Sequence, residues 1–518
     1  MVSYSRQQAR RSLVHTIRFR AVSQTATVLS YIVLVRAMQE HAFGVYNLFY
    51  SFIPIITTLA SFGLEQTLRR YQPEYLRSDR TAASAWLVSF VRRARLASTI
   101  TMLAAILLAW NLIAPHFKLQ GYRVDFAIFG VLAVLSLQSI VLQLSLASHM
   151  QHHYSVGSVA IASVGKLFAY LAIALFATMT LRAAILADIG AYGAGYIFLF
   201  IVHRRLQKDV SPRLEASERR RLGRYALYNH LNDASSLLVY GQTDNFFIGA
   251  MLTPVAVATY AFYGKLVDMI NNVTPQKLFD NIIQPLFFAI PAAEAKARLP
   301  RYFSLLIDLN LAWQLPALSF VIVYHAQIVQ VLFAGKYIQH ANLLPLALAL
   351  SIVPSGMSVP ISLVAQYHER AGLMLASEVF GLYQIGAMLV LIPLFGVYGA
   401  ALSTGSFHAL RNFWIWWQIR GTARWTNLRG VVTSALLIWG GVVIACSLLR
   451  SVMHPFSPVA QLAVGIVICA IGGLGYLRSA AISSSDRELL TGVMHGRERD
   501  ALRWLGLTPR GQALTQSP

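Results

Sequence analysis

Charge is scarce in this chain. Asp, Glu, Lys and Arg make up 12% of its 518 residues, about half of the roughly 25% usual for a soluble domain. Acids are scarcest, 21 against 43 basic residues, which leaves a net charge of +22. The only cysteines, Cys446 and Cys469, lie inside apolar stretches. They offer neither a disulfide framework nor a thiolate metal site and read as small buried apolar residues. No Gly-x-x-x-x-Gly-Lys loop occurs, so direct drive by ATP is not expected. The basic N-terminus (Arg6, Arg10, Arg11) is followed by an apolar run without a convincing small-x-small cleavage site, which reads as an uncleaved first helix.

Apolar sequence is abundant: 56% of residues are hydrophobic and the mean hydropathy is +0.55. A bilayer core about 30 Å thick needs about 20 apolar residues in helical form, because lipid offers the backbone no hydrogen bonds. Scanning at that length predicts spans at 13–36, 42–64, 96–114, 124–148, 155–179 and 183–203. A second set follows at 225–250, 255–289, 302–324, 342–366, 372–395, 397–419, 430–449 and 459–481. The expected fold class is therefore an all-α membrane protein of about fourteen transmembrane helices. Segment 255–289 is long and interrupted by Pro275 and Pro285, which predicts a kinked or partly interfacial element.

The basic residues gather in short segments between the apolar runs, a topology signal and not a nucleic-acid footprint. With the N-terminus inside, cytoplasmic segments hold about 31 basic residues and external ones about six, so both termini are expected in the cytoplasm. Segment 204–224 is the most charged loop and separates an N-terminal lobe, 1–203 with spans one to six, from a C-terminal lobe, 225–419 with spans seven to twelve. Two additional spans occupy 430–481, and 482–518 is a polar tail with an interfacial apolar patch. AMQEHAFGVYNLFY from Ala37 and AMLTPVAVATYAFY from Ala250 suggest internal duplication, as do LRAAIL from Leu181 and YGAALS from Tyr398. Transporters are often built from such repeats.

Several spans carry polar residues at helical spacing. Span one has Arg20, Gln24, Thr27 and Tyr31; span two has Tyr50, Pro54, Thr57, Ser61 and Glu65. Span seven has Asn229, Asn232, Ser236, Tyr240 and Thr243; span eight has Tyr260, Gly264, Asp268, Asn271 and Pro275. Hydroxyl, amide and aromatic groups in such stripes suit a water-filled cavity whose many weak contacts tolerate a moving polar ligand. Polar helix–helix packing is the other reading. The favoured cavity set is Gln24, Thr27, Thr57, Ser61, Asn232, Ser236, Tyr240 and Asn271.

Four passages carry a family resemblance: AFGVYNLFYSFIPIITTLASFGLEQTLRRY (42–71), TDNFFIGAMLTPVAVATYAFYGKL (243–266), IVQVLFAGKYIQHANLLPLALAL (328–350) and IPLFGVYGAALST (392–404). In this order and spacing the chain resembles the Wzx-type polysaccharide and O-antigen flippases of the multidrug/oligosaccharidyl-lipid/polysaccharide exporter (MOP) superfamily. The resemblance implies two six-helix lobes around a central cavity, two extra C-terminal helices, and a substrate that is an oligosaccharide unit on a polyprenyl diphosphate. It also implies a bacterial inner membrane, alternating access, no catalytic residues, and a polysaccharide polymerase and chain-length proteins as candidate partners.

A diphosphate head group requires cations within the membrane. Arg20, Lys166, Lys265 and Arg411 are the expected head-group ligands, with the arginines ranked higher for their bidentate geometry. Arg18 lies near a helix end, where it can snorkel to lipid head groups. Asp244, Asp268 and Glu378 are candidates for proton or sodium coupling, or else partners for Lys265 and Arg411. No cofactor is expected, and the His149, His152, His153 cluster reads as a solvated loop. Three alternatives stay open: a lipid II flippase, a multidrug or metabolite cation antiporter of the same superfamily, and a membrane-embedded polymerase or ligase. The last is disfavoured by external loops of only about 17 residues, too short to hold acceptor and catalytic groups across a span boundary.

Overall fold

The computed structural model describes residues 6–149, 151–206, 215–235, 243–274, 292–368, 370–453 and 456–483, together with 277, 287, 290, 486 and 487. Helices dominate, and no strand occurs among the described residues. Nine of the described helices are long and apolar enough to cross a membrane. The expectation of an all-α membrane protein holds.

One compact unit comprises Met1–Ala261. Its helices are α1 (Arg6–Ala37), α2 (Glu40–Leu59), α3 (Leu64–Arg77), α4 (Thr81–Leu108), α5 (Trp110–Ile113), α6 (Arg123–Ser148), α7 (His152–Phe176), α8 (Leu181–Leu206), α9 (Ala216–Ser235), α10 (Thr243–Met251) and the start of α11 (Pro254–Asn271). Helix α1 packs along α7, α7 along α8, and α6 against α4 and α8. The burial pattern is inverted relative to a protein in water. Phe176 at the end of α7 is 88% exposed, while Asp188 in the second turn of α8 is fully buried. Such a surface matches hydrocarbon, where apolar side chains lose nothing by exposure and polar ones must find partners inside.

Gly63 separates α2 from α3. It adopts φ +67°, and a Cβ there would come within 1.9 Å of the Ala226 carbonyl oxygen on α9, so the left-handed turn and the close helix contact both require glycine. Beyond the turn, Leu68, Tyr71 and Tyr75 of α3 form a buried cluster with Leu87, Val91 and Leu222. Arg80 clamps Glu218 at the start of α9 through two bonds of 2.6 and 3.0 Å. The start of α9 is thereby fastened to the α3–α4 turn.

The second unit, Phe262–Pro518, contains the rest of α11 and then α12 (Ala292–Phe333), α13 (Leu343–Tyr367), α14 (Ala371–Ser377), α15 (Phe380–Phe395), α16 (Val397–Ile419), α17 (Leu428–Val452) and α18 (Pro458–Arg478). Expected span 302–324 is the middle of the 42-residue α12, which contains Pro300 and Pro316. Helix α12 is the spine of this unit: α13, α17 and α18 all pack on it. Helix α15 packs on α16, and α16 on α13.

Expected spans 13–36 and 397–419 correspond to α1 and α16, while 96–114 is the second half of α4, which begins fifteen residues earlier at Thr81, together with α5. Helices α1, α4 and α16 are of crossing length, but their charged and polar residues keep them outside the nine most apolar helices. Spans 225–250 and 255–289 both run into residues outside the description.

Candidate functional site

Helices α7 and α8 each carry one charged residue deep in an apolar stretch, Lys166 and Asp188. The fold brings the two together. Lys166 Nζ lies 2.9 Å from Asp188 Oδ1. Three tyrosines complete the shell of the carboxylate: Tyr170 donates to Oδ1 at 2.8 Å, and Tyr46 and Tyr50 donate to Oδ2 at 2.7 and 2.5 Å. The spacing explains why they converge. Tyr46 and Tyr50 are four residues apart on α2, and Lys166 and Tyr170 are four apart on α7, so each pair stacks on one helix face.

The ammonium is held differently from the carboxylate. Lys166 also donates to the Tyr46 hydroxyl at 3.1 Å, and it sits 5.1, 5.6 and 5.8 Å from the ring centres of Tyr170, Tyr50 and Tyr46. Its side chain keeps 20% of its surface accessible, whereas that of Asp188 keeps none. Burying two charges is costly, and their attraction offsets that cost only when the remaining lone pairs and protons are satisfied. Here the carboxylate is saturated by four donors, while the ammonium retains an open side. The arrangement is a fixed anion beside a reachable cation. It can exchange the lysine's partner for another anion, because the three phenols go on stabilising Asp188.

Nearby in the same unit, Asp244 on α10 is buried and accepts from Tyr260 on α11 at 2.6 Å. Asn245 donates to Ser51 on α2 at 2.9 Å, and Gly44 on α2 lets the Pro254 carbonyl approach so closely that a Cβ would lie 1.9 Å from its oxygen. A buried ion pair, Arg95 to Glu65 at 3.0 Å, joins α4 to the start of α3.

The second unit contains a seam of amides and hydroxyls. Asn271 donates to Ser351 at 3.0 Å and accepts from Gln314 at 3.4 Å, and Gln314 also donates to Ser355 at 2.5 Å. Asn310 donates to the Gly356 carbonyl at 3.4 Å. Asp308, fully buried on α12, has one oxygen 3.4 Å from Ser304 and the other without a hydrogen-bond partner among the described residues. Arg411 on α16 pairs with Glu378 at 2.6 Å and donates to Ser377 at 3.1 Å.

The residues singled out in the sequence fall in different environments. Lys166 joins the tyrosine cage, Arg411 and Glu378 join each other, and Asn271 joins the amide seam. Arg18, Arg20 and Gln24 are exposed on α1. Thr27 is half-buried and donates to Ser163 of α7 at 3.3 Å, and Ser61 caps the turn at Gly63. Thr57 and Lys265 are half-buried, and Asp268 is exposed. Ser236 and Tyr240, and the side chain of Asn232, lie outside the described residues. Sequence reasoning missed Asp188, Tyr170, Asp308, Asn310 and Gln314. A usable signal existed for Asp188, since consecutive spans with one deep cation and one deep anion are candidates for pairing.

Among solved structures, the fold is similar to that of a lipid II flippase, MurJ, in an inward closed conformation. The TM-score is 0.66 at 11% identity, over 89% of this chain and 99% of that one. It is also similar to a multidrug resistance MATE family transporter of the MOP superfamily. The inward-facing form gives a TM-score of 0.63 at 15% identity, over 79% of this chain and 98% of that one. The outward-facing form gives 0.54 at 17% identity, over 80% and 95%. No curated protein matches the chain in sequence. The fold is that of an all-α membrane protein, similar to those of these transporters. Within that class, the chain belongs to the polysaccharide biosynthesis protein family, whose model matches residues 15–274.

Proposed function

We propose that this transporter is a flippase that moves polyprenyl-diphosphate-linked oligosaccharide repeat units across the bacterial inner membrane for cell-surface polysaccharide synthesis. The observation that carries the reading is the Lys166–Asp188 pair, a reachable ammonium held at the centre of an apolar helix packing. In this reading a diphosphate oxygen displaces Asp188 as the partner of Lys166. The three tyrosines hold the carboxylate in place until the head group leaves. Neutral polar seams such as Asn271–Gln314–Ser351 suit the sugars, which need many weak hydrogen bonds rather than one strong one.

Two sources supply the drive. Moving the anionic head group out of an inside-negative cell gains about 2.3 kcal/mol per charge per 100 mV. The second is ion coupling at an intramembrane acid, for which Asp244, Asp268 and Glu378 are the candidates. In this reading both termini lie in the cytoplasm, the two lobes exchange access to the two faces, and a polymerase consumes the product outside. A reading as a cation antiporter is favoured by one observation: Asp188 would be left as a phenol-lined acid if Lys166 swung away.

The deciding experiment is reconstitution in liposomes with lipid-linked oligosaccharide, lipid II and a cationic dye as parallel substrates, under an imposed potential or pH gradient. Movement of the lipid-linked oligosaccharide that K166Q abolishes is the expected result. Movement of the dye alone would replace this reading with the antiporter, and movement of lipid II alone would change the substrate.

A further inference from the structure

Away from the tyrosine cage, α4, α6 and α8 enclose a cleft of about 260 Å³ on the side of the first unit, with Arg92 and Arg93 of α4 among its lining residues. We propose that this cleft binds the head group of an anionic phospholipid of the surrounding bilayer. Its floor and walls are Leu96, Leu135, Gln138 and Phe200, and no acidic residue lines it. Among the described residues neither guanidinium has a carboxylate within ion-pair distance, in contrast to Arg80, Arg95, Arg182 and Arg411, which all do. Arg92 is steadied over the ring of Phe200, 5.5 Å from its centre. Gln138 donates to the Arg92 carbonyl at 3.2 Å and fixes the backbone between the two arginines.

Arg92 is half-buried and Arg93 exposed, so two guanidiniums are open to a ligand above an apolar floor, and their planar forks suit phosphate oxygens. The surroundings identify the source of that anion. From the cleft, α4 continues with Leu96 and Ile100 exposed, and α8, followed away from its basic end, has Ile197 and Leu186 exposed, so acyl chains attached to a bound head group have an apolar surface to lie on. The cleft is also small against the roughly 300–1,000 Å³ of a site for a drug-sized ligand. It accommodates a phosphate with its glycerol but not a glycan. The C-terminal turn of α8 ends in His203, Arg204 and Arg205, so the same end of the lobe is basic, as expected where a protein meets an anionic leaflet. A lipid seated here would bridge α4, α6 and α8. The inference needs only a membrane protein and is independent of the transported substrate.

Native mass spectrometry of the full chain in detergent tests the proposal, by titration with phosphatidylglycerol, with phosphatidylcholine of the same acyl chains, and with inorganic phosphate. Phosphatidylglycerol should bind, with affinity falling about fivefold for each arginine neutralised in R92Q and R93Q. L135W, which fills the cleft and keeps both charges, should weaken it as well, and R219Q on the exposed linker should leave it unchanged. Helical circular dichroism and size-exclusion profiles identify a misfolded variant, in which case the remaining variants decide. Equal phosphatidylglycerol binding by wild type, R92Q/R93Q and L135W would overturn the proposal. So would equal retention of phosphatidylcholine, and displacement of the lipid by millimolar phosphate would reassign the cleft to a free anion.

Discussion

The Lys166–Asp188 pair makes an asymmetric prediction. In K166Q the carboxylate loses its cation but keeps three phenolic donors, and hydrogen bonds to a charged group are each worth about 1.5–3 kcal/mol. In D188N the ammonium keeps the Tyr46 hydroxyl, three ring faces and a neutral amide oxygen, but no counter-charge. Removing one partner of a buried pair costs about 3–5 kcal/mol when the other is left uncompensated, a description that fits D188N and not K166Q. We therefore expect D188N to destabilise the protein by about 3–5 kcal/mol and K166Q by about 1–3 kcal/mol. The double variant K166Q/D188N should fall short of the sum by about 1–3 kcal/mol, because removing both charges removes the desolvation cost as well. Unfolding by SDS titration or steric trapping in bicelles reads these energies, and surface polysaccharide in cells carrying each variant reads function. K166Q and the double variant should both lose export, although the double variant recovers stability. Equal costs for the two single variants, with additivity in the double, would refute the account of a saturated anion beside an under-coordinated cation.

Three further outcomes follow from the same structure. G44A drives a methyl group to 1.9 Å from the Pro254 carbonyl oxygen and should cost about 1–3 kcal/mol through overpacking, seen as a lower melting temperature; an unchanged one would mean that α2 and α11 do not touch there. E378Q leaves Arg411, 17% exposed, with Ser377 as its hydrogen-bond partner on that side. It should destabilise by about 2 kcal/mol, and the swapped R411E/E378R should recover part of that. Glu218, outside the spans, is held below the usual carboxylate range by its hydrogen bonds to Arg80. A depressed folded value means that its contribution is present above the unfolded pKa and lost as pH falls through the folded one. Hydrogen-exchange protection across residues 216–235, corrected for the intrinsic pH dependence of amide exchange, should therefore fall on acidification, and E218Q should show the lower protection already at neutral pH; a pH response identical in E218Q would place its origin elsewhere.

Much of the architecture was legible before any coordinates. Runs such as 124–148 and 155–179 announce spanning helices because hydrocarbon tolerates little else, and that constraint acts on each segment separately. The amide of Asn271 and the charge of Lys166 were legible for the same reason, since polar groups in such runs stand out against their neighbours. What they touch was not. Asp188 is a single acid in an apolar helix, and only the packing of α7 on α8 and the reach of two tyrosines from α2 turn it into the centre of a five-residue cluster. Glu378 was legible as one alternative partner for Arg411, and the fold selects that alternative by placing the two 2.6 Å apart.

The sequence by itself determined the solvent, the helix inventory and a set of costly intramembrane residues, because transfer free energies belong to residue types. The tertiary structure alone decided which charge meets which, and which cation stays reachable. Those outcomes depend on distances of a few ångströms between helices far apart in the chain, and no periodicity within a segment encodes them.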